Sequence, residues 1–410
     1  MAELVVNNYK EATAILTNRD FGQSLYDESS IIMQDVLLTS EGDSHISRRK
    51  TEFHLFKKKI SRNYEQVDFP RILKPIINEA VSNGSSNLVE LGYLVTMNVT
   101  ADISGIDIPE NNFLKTRKLL SLVKIFSEGA TLVHSLKNKN KIRQLVVDAL
   151  EVFDKEFYSN SLNRRKGILK KYESGEIIED QLPRDILTLL LRNQKRLHLS
   201  NEIIRREVAF YLQAGSHSTA NASTHAFHEL FEWIKSHPED KNIIQNDKFF
   251  LQKCVFETLR LHPASPVAWR KALRTTELLG KNKVKEGDRI IIDLWNSNRD
   301  ISVYGIDATR YNPYREIPKN YPPWGLTFGV GPHACLARVL DGGEVPKSDT
   351  DIDKHNFGLI TCFMKCLLVA RNGRQRALWP HSALPAVPHC ARAWLCSMKP
   401  AAPRCARFGS

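Results

Sequence analysis

Apolar residues recur at three- and four-residue intervals along most of the first 260 positions, a spacing that predicts a mainly helical chain. Asn8–Asn18 (N-Y-K-E-A-T-A-I-L-T-N) has the pattern of a short amphipathic helix, and His45–Ile60 that of a basic helix with R-R-K and K-K-K on its polar side. Helical spacing also marks Asn87–Thr100, Leu114–Phe126 and Lys141–Phe157, and Pro183 suits the first turn of a helix through D-I-L-T-L-L-L. Ser200 is placed to cap a long segment that runs to Ser236. Ala214-Gly215 lies in its middle, where glycine costs about 1 kcal/mol relative to alanine, so something is expected to approach the backbone there. After a helix over Phe249–Leu261 the pattern changes. Val284 and Arg289–Leu294 flank the turn E-G-D and predict a β-hairpin. Asn298–Pro323, rich in Asn, Asp, Pro and Gly, reads as a long ordered loop. From about Leu340 the periodicity stops: L-D-G-G-E-V-P-K ends the preceding helix, and residues 371–410 carry Pro, Arg, Ala, Trp and Cys without a repeat.

Composition changes this picture little. The 410 residues can bury a large core, and 42% hydrophobic with 25% charged residues is ordinary for a globular protein. The longest apolar candidate, Phe357–Ala370, is interrupted by Lys365 and too short to span a bilayer. The start M-A-E-L-V-V-N-N has neither a basic nor an apolar signal region, so the expectation is a cytoplasmic protein without a membrane anchor. The seven cysteines (Cys254, Cys335, Cys362, Cys366, Cys390, Cys396 and Cys405) are odd in number and argue against a disulfide framework. The last five, even with His381 and His389, fit no zinc spacing. The net charge is +12, and residues Arg371–Arg407 hold seven Lys or Arg and no Asp or Glu. With no recognition motif or aromatic stripe, the expectation is a basic surface or anomalous tail and no nucleic-acid partner.

Candidate chemistry concentrates near residue 335. Phe328–Ala337, F-G-V-G-P-H-A-C-L-A, sets Cys335 behind a glycine-bracketed turn; Gly329 and Gly331 let a backbone turn sharply and approach a flat group closely. A thiolate on such a loop can ligate a haem iron axially, although a buried structural cysteine is the plainer reading. Glu257 and Arg260 in C-V-F-E-T-L-R-L-H-P lie three apart and share a helix face; alone, such a pair is a surface salt bridge worth under about 1 kcal/mol. In E-G-D-S-H-I-S-R-R, His45 and Arg49 stand one turn apart, and V-A-W-R-K-A carries Arg270. Within A-G-S-H-S-T, His217 and Ser218 are both able to carry protons.

Together these motifs, in this order, resemble those of the cytochrome P-450 superfamily in its soluble bacterial style. The cysteine loop resembles F-x-x-G-x-x-x-C-x-G, with Ala337 where glycine is usual, and W-N-S-N-R-D, Trp295–Asp300, resembles the turn after the family's hairpin. The resemblance covers roughly residues 8–340. It implies a mainly α fold with small β elements, incomplete at the N-terminus, where the first helix and β-hairpin are not recognisable, and at the C-terminus. The implied organisation is a catalytic domain over 1–340 and an atypical basic tail over 341–410, whose sequence suggests a shifted reading frame or splice variant.

Residue by residue, the resemblance implies haem b bound with Cys335 as iron ligand, Phe328 and Gly329 beside it, and His45, Arg49, Arg270 and His333 as propionate partners. Glu257, Arg260 and Arg315 (from Y-N-P-Y-R) would form a structural charge network. Gly215, His217 and Ser218 would form the distal oxygen site, His217 standing where the family has an acid and Ser218 where it has threonine. Ala214, Val267, Ala268 and Trp269 would contact a small apolar substrate. The implied reaction is monooxygenation with electrons from NAD(P)H through a ferredoxin or flavodoxin-type donor and its reductase, docking on the basic helix of Arg48, Arg49, Lys50, Lys57, Lys58 and Lys59. A peroxide-using or rearranging enzyme, or a non-catalytic or decayed haem-binding relative, remains the alternative.

Overall fold

The computed structural model describes residues 3–82, 86–278 and 282–372, and is mainly helical with two small sheets. The expectations for Cys390, Cys396, Cys405, His381, His389 and most of the basic tail lie outside the described residues. The helices that position the site are α1 (Tyr9–Thr17), α2 (Gly42–Glu52), α3 (Leu88–Ser104), α4 (Phe113–Ala130), α5 (Asn201–Ser236), α6 (Phe250–Leu261), α7 (Arg338–Gly342) and α8 (Leu359–Asn372). The strands are β1 (Glu3–Val6), β2 (Phe21–Gln23), β3 (Val267–Ala272), β4 (Thr276–Leu278), β5 (Asn282–Val284) and β6 (Arg289–Asp293).

The central helix α5 runs unbroken from Asn201 to Ser236, with the Ser200 Oγ accepting the Ile203 N–H at 3.1 Å. Gly215 does not kink it. A Cβ there would sit 3.0 Å from the Thr100 side chain, so glycine lets α3 lie close against α5. Apolar faces of α3, α4, α5 and α6 form one core, in which Phe126, Phe153, Phe227 and Phe250 are wholly enclosed.

The larger sheet has the order β1-β6-β3-β2, with β1 parallel to β6 and the other pairs antiparallel. The hairpin expected across E-G-D is not formed: β5 pairs with β4 in a separate two-stranded sheet, while β6 joins β3. The turn between them is instead tied to the end of β3 by the Gly287 N–H, which donates to the Ala272 carbonyl at 2.8 Å.

Three further expectations need correction. The basic segment is not one helix: α2 ends at Glu52, a 3₁₀ turn over Phe53–Phe56 buries Leu55 and Phe56, and a new short helix covers Lys58–Asn63. Two apolar residues that must reach the core force the chain to turn there. Pro183 precedes rather than opens its helix, which is Ile186–Asn193, capped by the Asp185 carboxylate accepting the Thr188 N–H at 2.7 Å. Finally, residue 340 is no packing boundary. Leu359, Ile360, Phe363, Met364 and Leu367 of α8 are buried in the main core. The buried Glu65 carboxylate accepts the backbone N–H groups of Phe357 and Gly358 at 3.0 Å each, fixing the entry to α8.

Candidate active site

A cavity of about 430 Å³ lies between α5, the Cys335 loop, α2 and β3. Its wall is largely apolar, and the polar groups on it fall into three sets.

The first is the cysteine loop. Gly329 (φ +63°) and Gly331 (φ +74°) both adopt the left-handed region. A Cβ on Gly331 would meet the Leu16 carbonyl at 2.5 Å, so the loop turns tightly against the end of α1. The Cys335 N–H donates to the Phe328 carbonyl at 2.7 Å, closing the loop. Phe328, Gly329 and Cys335 all line the cavity. Cys335 retains accessible surface, but that surface faces the cavity; enclosure by protein pushes its thiol up to about 12, and the Asp341 carboxylate adds to the rise. Such a thiol keeps its proton at neutral pH until a metal displaces it, as a coordinating cation does.

The second set is cationic. His45 and Arg49 of α2, Arg270 of β3 and His333 of the loop all reach the cavity wall. The rings of His45 and His333 lie 4.4 Å apart, and His45 Nε2 and His333 Nδ1 are buried without a hydrogen-bond partner. Burial, aided by His333 and Arg49, lowers His45 to about 4. Arg270 is buried, and its guanidinium donates only to neutral oxygens, the Gln23 side chain at 2.5 Å and the Trp269 carbonyl at 2.9 Å. Burial lowers it to about 10. Arg49 donates to the Ala334 carbonyl and pairs with no carboxylate among the described residues. Among the described residues the carboxylate that pairs with this set is Glu41, its Oε2 lying 3.5 Å from His333 Nε2. Although burial works to raise Glu41, its hydrogen bond and charge interaction with His333 prevail and hold it below the usual carboxylate range. Buried cations facing neutral oxygens and orphaned ring nitrogens suit a ligand that brings its own carboxylates. The residues present therefore fit haem b, with the cysteine as ligand and the cations at its propionates.

The third set is on α5. Ala214 and Ser218 are one turn apart and share the cavity face with Gly215, Thr219 and Ala222. Ser218 Oγ donates to the Ala214 carbonyl at 2.7 Å. His217 does not join them: its ring packs edge-on to Tyr93, 5.4 Å between centroids, and bonds the backbone at Val123, facing α3 and α4. One residue along a helix is a rotation of about 100°, enough to turn His217 from the cavity while Ser218 enters it. Two residues not singled out from the sequence stand there instead. Thr219 Oγ1 donates to Asp341 Oδ1 of α7 at 3.1 Å, and both line the cavity. Thr219 could have been found as the next residue of A-G-S-H-S-T; nothing local in the sequence marks Asp341. Val267, Ala268 and Trp269 line the opposite wall.

Beneath the cavity, Arg260 donates to Glu257 in two bonds, 2.8 and 2.6 Å, and to the carbonyls of Asn298 and Ala308. Arg315 joins through Glu257 Oε1 at 3.0 Å and Asp307 Oδ1 at 2.6 Å. The N-R-D turn is part of the same assembly: Asn298 accepts the Leu326 N–H at 2.7 Å, and Asp300 accepts the Tyr9 N–H at 2.9 Å. The Thr327 hydroxyl donates to the Leu259 carbonyl at 2.5 Å, hanging the cysteine loop from α6.

The basic patch is smaller than expected. Arg48 is buried and paired with Glu52 and Glu207, and Arg49 turns inward, leaving Lys50, Lys57, Lys58 and Lys59 on the surface, Lys58 paired with Glu344. Among the described residues no helix is long and apolar enough to cross a membrane, and no cluster of metal-binding side chains occurs.

Comparison with known proteins agrees with this geometry. Cytochrome P450 52C2 of Candida maltosa is 24% identical over 350 residues, 75% of this chain and 66% of the relative. Cytochrome P450 monooxygenase FPY7 of Fusarium mangiferae is 28% identical over 213 residues, 46% of this chain and 41% of the relative. The matches thus span less than two thirds of either relative's length. Among solved structures, CYP109E1 from Bacillus megaterium in complex with corticosterone shares the fold, with a TM-score of 0.65 at 18% identity over 90% of this chain and 84% of that one. The family model described as Cytochrome P450 matches residues 109–340, more than half the chain, and with the cysteine loop, the Glu257–Arg260–Arg315 network and the central helix all inside that span, the chain belongs to the cytochrome P450 family.

Proposed function

We propose that the protein is a haem-thiolate monooxygenase that inserts one atom of dioxygen into a small apolar substrate, with electrons from NAD(P)H through a ferredoxin or flavodoxin-type donor. The observation that carries this reading is that one cavity joins the Cys335 thiol, four basic side chains (two arginines and two histidines) with few acids to satisfy them, and the hydroxyl face of α5. Haem b, the family's cofactor, supplies dioxygen binding and oxygen-atom transfer when bound. Cys335 would ligate its iron as thiolate. His45, Arg49, Arg270 and His333 would hold its propionates, and Gly329, in the left-handed region, would let the loop turn beside it. Val267, Ala268 and Trp269, with the apolar side chains of α3, hold the substrate and exclude water. Ser218 keeps a hydroxyl at the cavity for proton transfer. Lys50, Lys57 and Lys59 offer an acidic donor a docking surface.

Reduced protein treated with carbon monoxide should show the strongly red-shifted Soret band of thiolate ligation, and Cys335→Ser should lose it. An unchanged band in the serine variant overturns the assignment. One observation favours a second reading, a peroxide-using enzyme: the residue in the acid position of α5, His217, faces away from the cavity. Turnover with hydrogen peroxide but not with a reductase, donor and NADPH would select it.

A further inference from the structure

His217 leaves the cavity face of α5 without an acid, yet an acid stands on the cavity wall. Asp341, on α7, is half-buried with part of its surface lining the cavity, and it accepts the Thr219 hydroxyl at 3.1 Å, one residue past Ser218. This is the one hydrogen bond to its side chain among those described. A carboxyl facing a largely apolar cavity wall with so little support is costly in its charged form, which pays desolvation without a counter-ion.

We propose, building on the haem-thiolate reading, that Asp341 is the proton-carrying acid of this site and exchanges its proton with the cavity through the Thr219 hydroxyl as electrons enter. For each electron that the donor protein delivers to the cofactor, the Asp341 carboxylate takes up one proton from solvent, so the net charge of the enclosed site is unchanged. In delivery, Asp341 gives its proton to Thr219 Oγ while the hydroxyl's own proton passes to an acceptor in the cavity; a solvent proton then restores the acid. No covalent bond to carbon forms or breaks in these steps.

Three features support this role. Desolvation raises Asp341 to about 7, with the Thr219 hydrogen bond working the other way, which brings its titration from the acid range towards neutral pH. In its charged form Asp341 raises the Cys335 thiol, so its charge is felt at the ligand position. Its other neighbours do not compensate that charge. From α6 and α8 the cavity wall near it is apolar, with Leu259, Leu359, Ile360 and Phe363. Arg338 on its own helix and Arg49 on α2 act on Cys335, while Asp341 responds to burial and Thr219. In the short helix beside α7, Lys58 is committed to Glu344, Lys59 is exposed, and Arg62, its Nε buried without a partner, is not among the groups that shift Asp341. In such low-dielectric surroundings an added electron and a carboxylate charge repel strongly, which couples proton uptake to reduction.

The test is an optical redox titration of the haem-loaded protein across neutral pH. The wild-type midpoint potential should fall as pH rises, by up to about 59 mV per pH unit, the one-electron equivalent of a tenfold change. Asp341→Asn, which keeps the Thr219 contact but cannot ionise, should lose most of that slope; contributions from propionates and histidines stay in both. Thr219→Val removes a bond that favours the ionised acid, so the sloping region should move to higher pH. Equal slopes in wild type and Asp341→Asn overturn the proposal, and an unmoved region in Thr219→Val removes Thr219 from it. Should the asparagine variant fail to hold haem, reduced-minus-oxidised infrared spectra of the wild type decide: a protonated carboxyl must appear on reduction, and its absence is fatal. The carbon monoxide band separates the two levels, since equal slopes with an intact thiolate band reject only Asp341.

Discussion

Two charged clusters flank the same loop and are built on opposite terms. In the Glu257–Arg260–Arg315 network every cation meets a carboxylate or a ring of carbonyls, and Arg260 is fully enclosed, with its ring neighbour Tyr304 4.8 Å away. In the cluster of His45, Arg49, Arg270 and His333 the arginines face neutral oxygens, Glu41 meets only His333, and two ring nitrogens are orphaned. The first is complete without a ligand and therefore holds the fold. The second is incomplete without one, which is the physical reason for proposing that a dianionic group binds there. The distinction is not burial or charge, which both share, but whether the acids are supplied by the chain.

The largest effect should come from breaking the closed cluster. Arg260→Ala leaves Glu257 with Arg315 alone among its cations and leaves the Asn298 and Ala308 carbonyls without their donor, and losing one partner of a buried pair costs about 3–5 kcal/mol, a large share of a typical stability. Chemical denaturation should show the midpoint falling sharply or no folded protein at all; a shift under 1 kcal/mol would mean the pair behaves as a surface bridge.

Opening the second cluster should act on the ligand rather than the fold. Arg270→Met removes a charge-assisted donor worth about 1.5–3 kcal/mol, so haem dissociation should become roughly 10- to 100-fold easier. Denaturation of the haem-free protein should change little, because no carboxylate loses its partner. If instead the haem-free protein is strongly destabilised while haem affinity holds, Arg270 belongs with the structural cluster.

A smaller effect sharpens the contrast through pH. His45 is lowered to about 4 in the fold from an ordinary value of 6.5. Between these values the unfolded chain binds the proton and the folded chain does not, so stability of the haem-free protein should rise with pH across that window and fall as pH drops through it. Burial lowers His225 to about 4 as well, so the diagnostic quantity is the difference made by His45→Gln, which should flatten the dependence. Propionates beside His45 would favour its charged form, so haem loading should flatten it too. An identical pH dependence in His45→Gln would show that other histidines carry it.

The smallest effect concerns exposed cations. Lys57→Glu with Lys59→Glu should slow first-electron transfer from an acidic ferredoxin by several-fold, and the loss should shrink in salt. Rates indifferent to both substitution and salt would place the docking surface elsewhere.

How much of this was legible in the chain depends on the range of the interaction. The cysteine loop was legible because its turn, glycines and thiol lie within ten consecutive residues. The Glu257–Arg260 pair was legible from helical spacing, and the Ser200 cap and the full length of α5 from local chemistry and periodicity. Failures came where rotation or a distant partner decided. A basic run that looks like one helix breaks because Leu55 and Phe56 must reach the core. A turn that looks like a hairpin joins two sheets because β6 finds β1 and β3 instead of β5.

The sequence by itself determined most element types, the glycine-bracketed cysteine loop and the self-contained charge network, since short-range hydrogen bonding, backbone freedom and side-chain chemistry specify them. Only the tertiary structure decided that His217 turns towards Tyr93, that Arg48 is spent on Glu52 and Glu207, and that Asp341 meets Thr219 across 122 positions of chain. Those outcomes depend on which faces of separate elements meet, and helix packing sets that through the shape of whole surfaces, which no local pattern records.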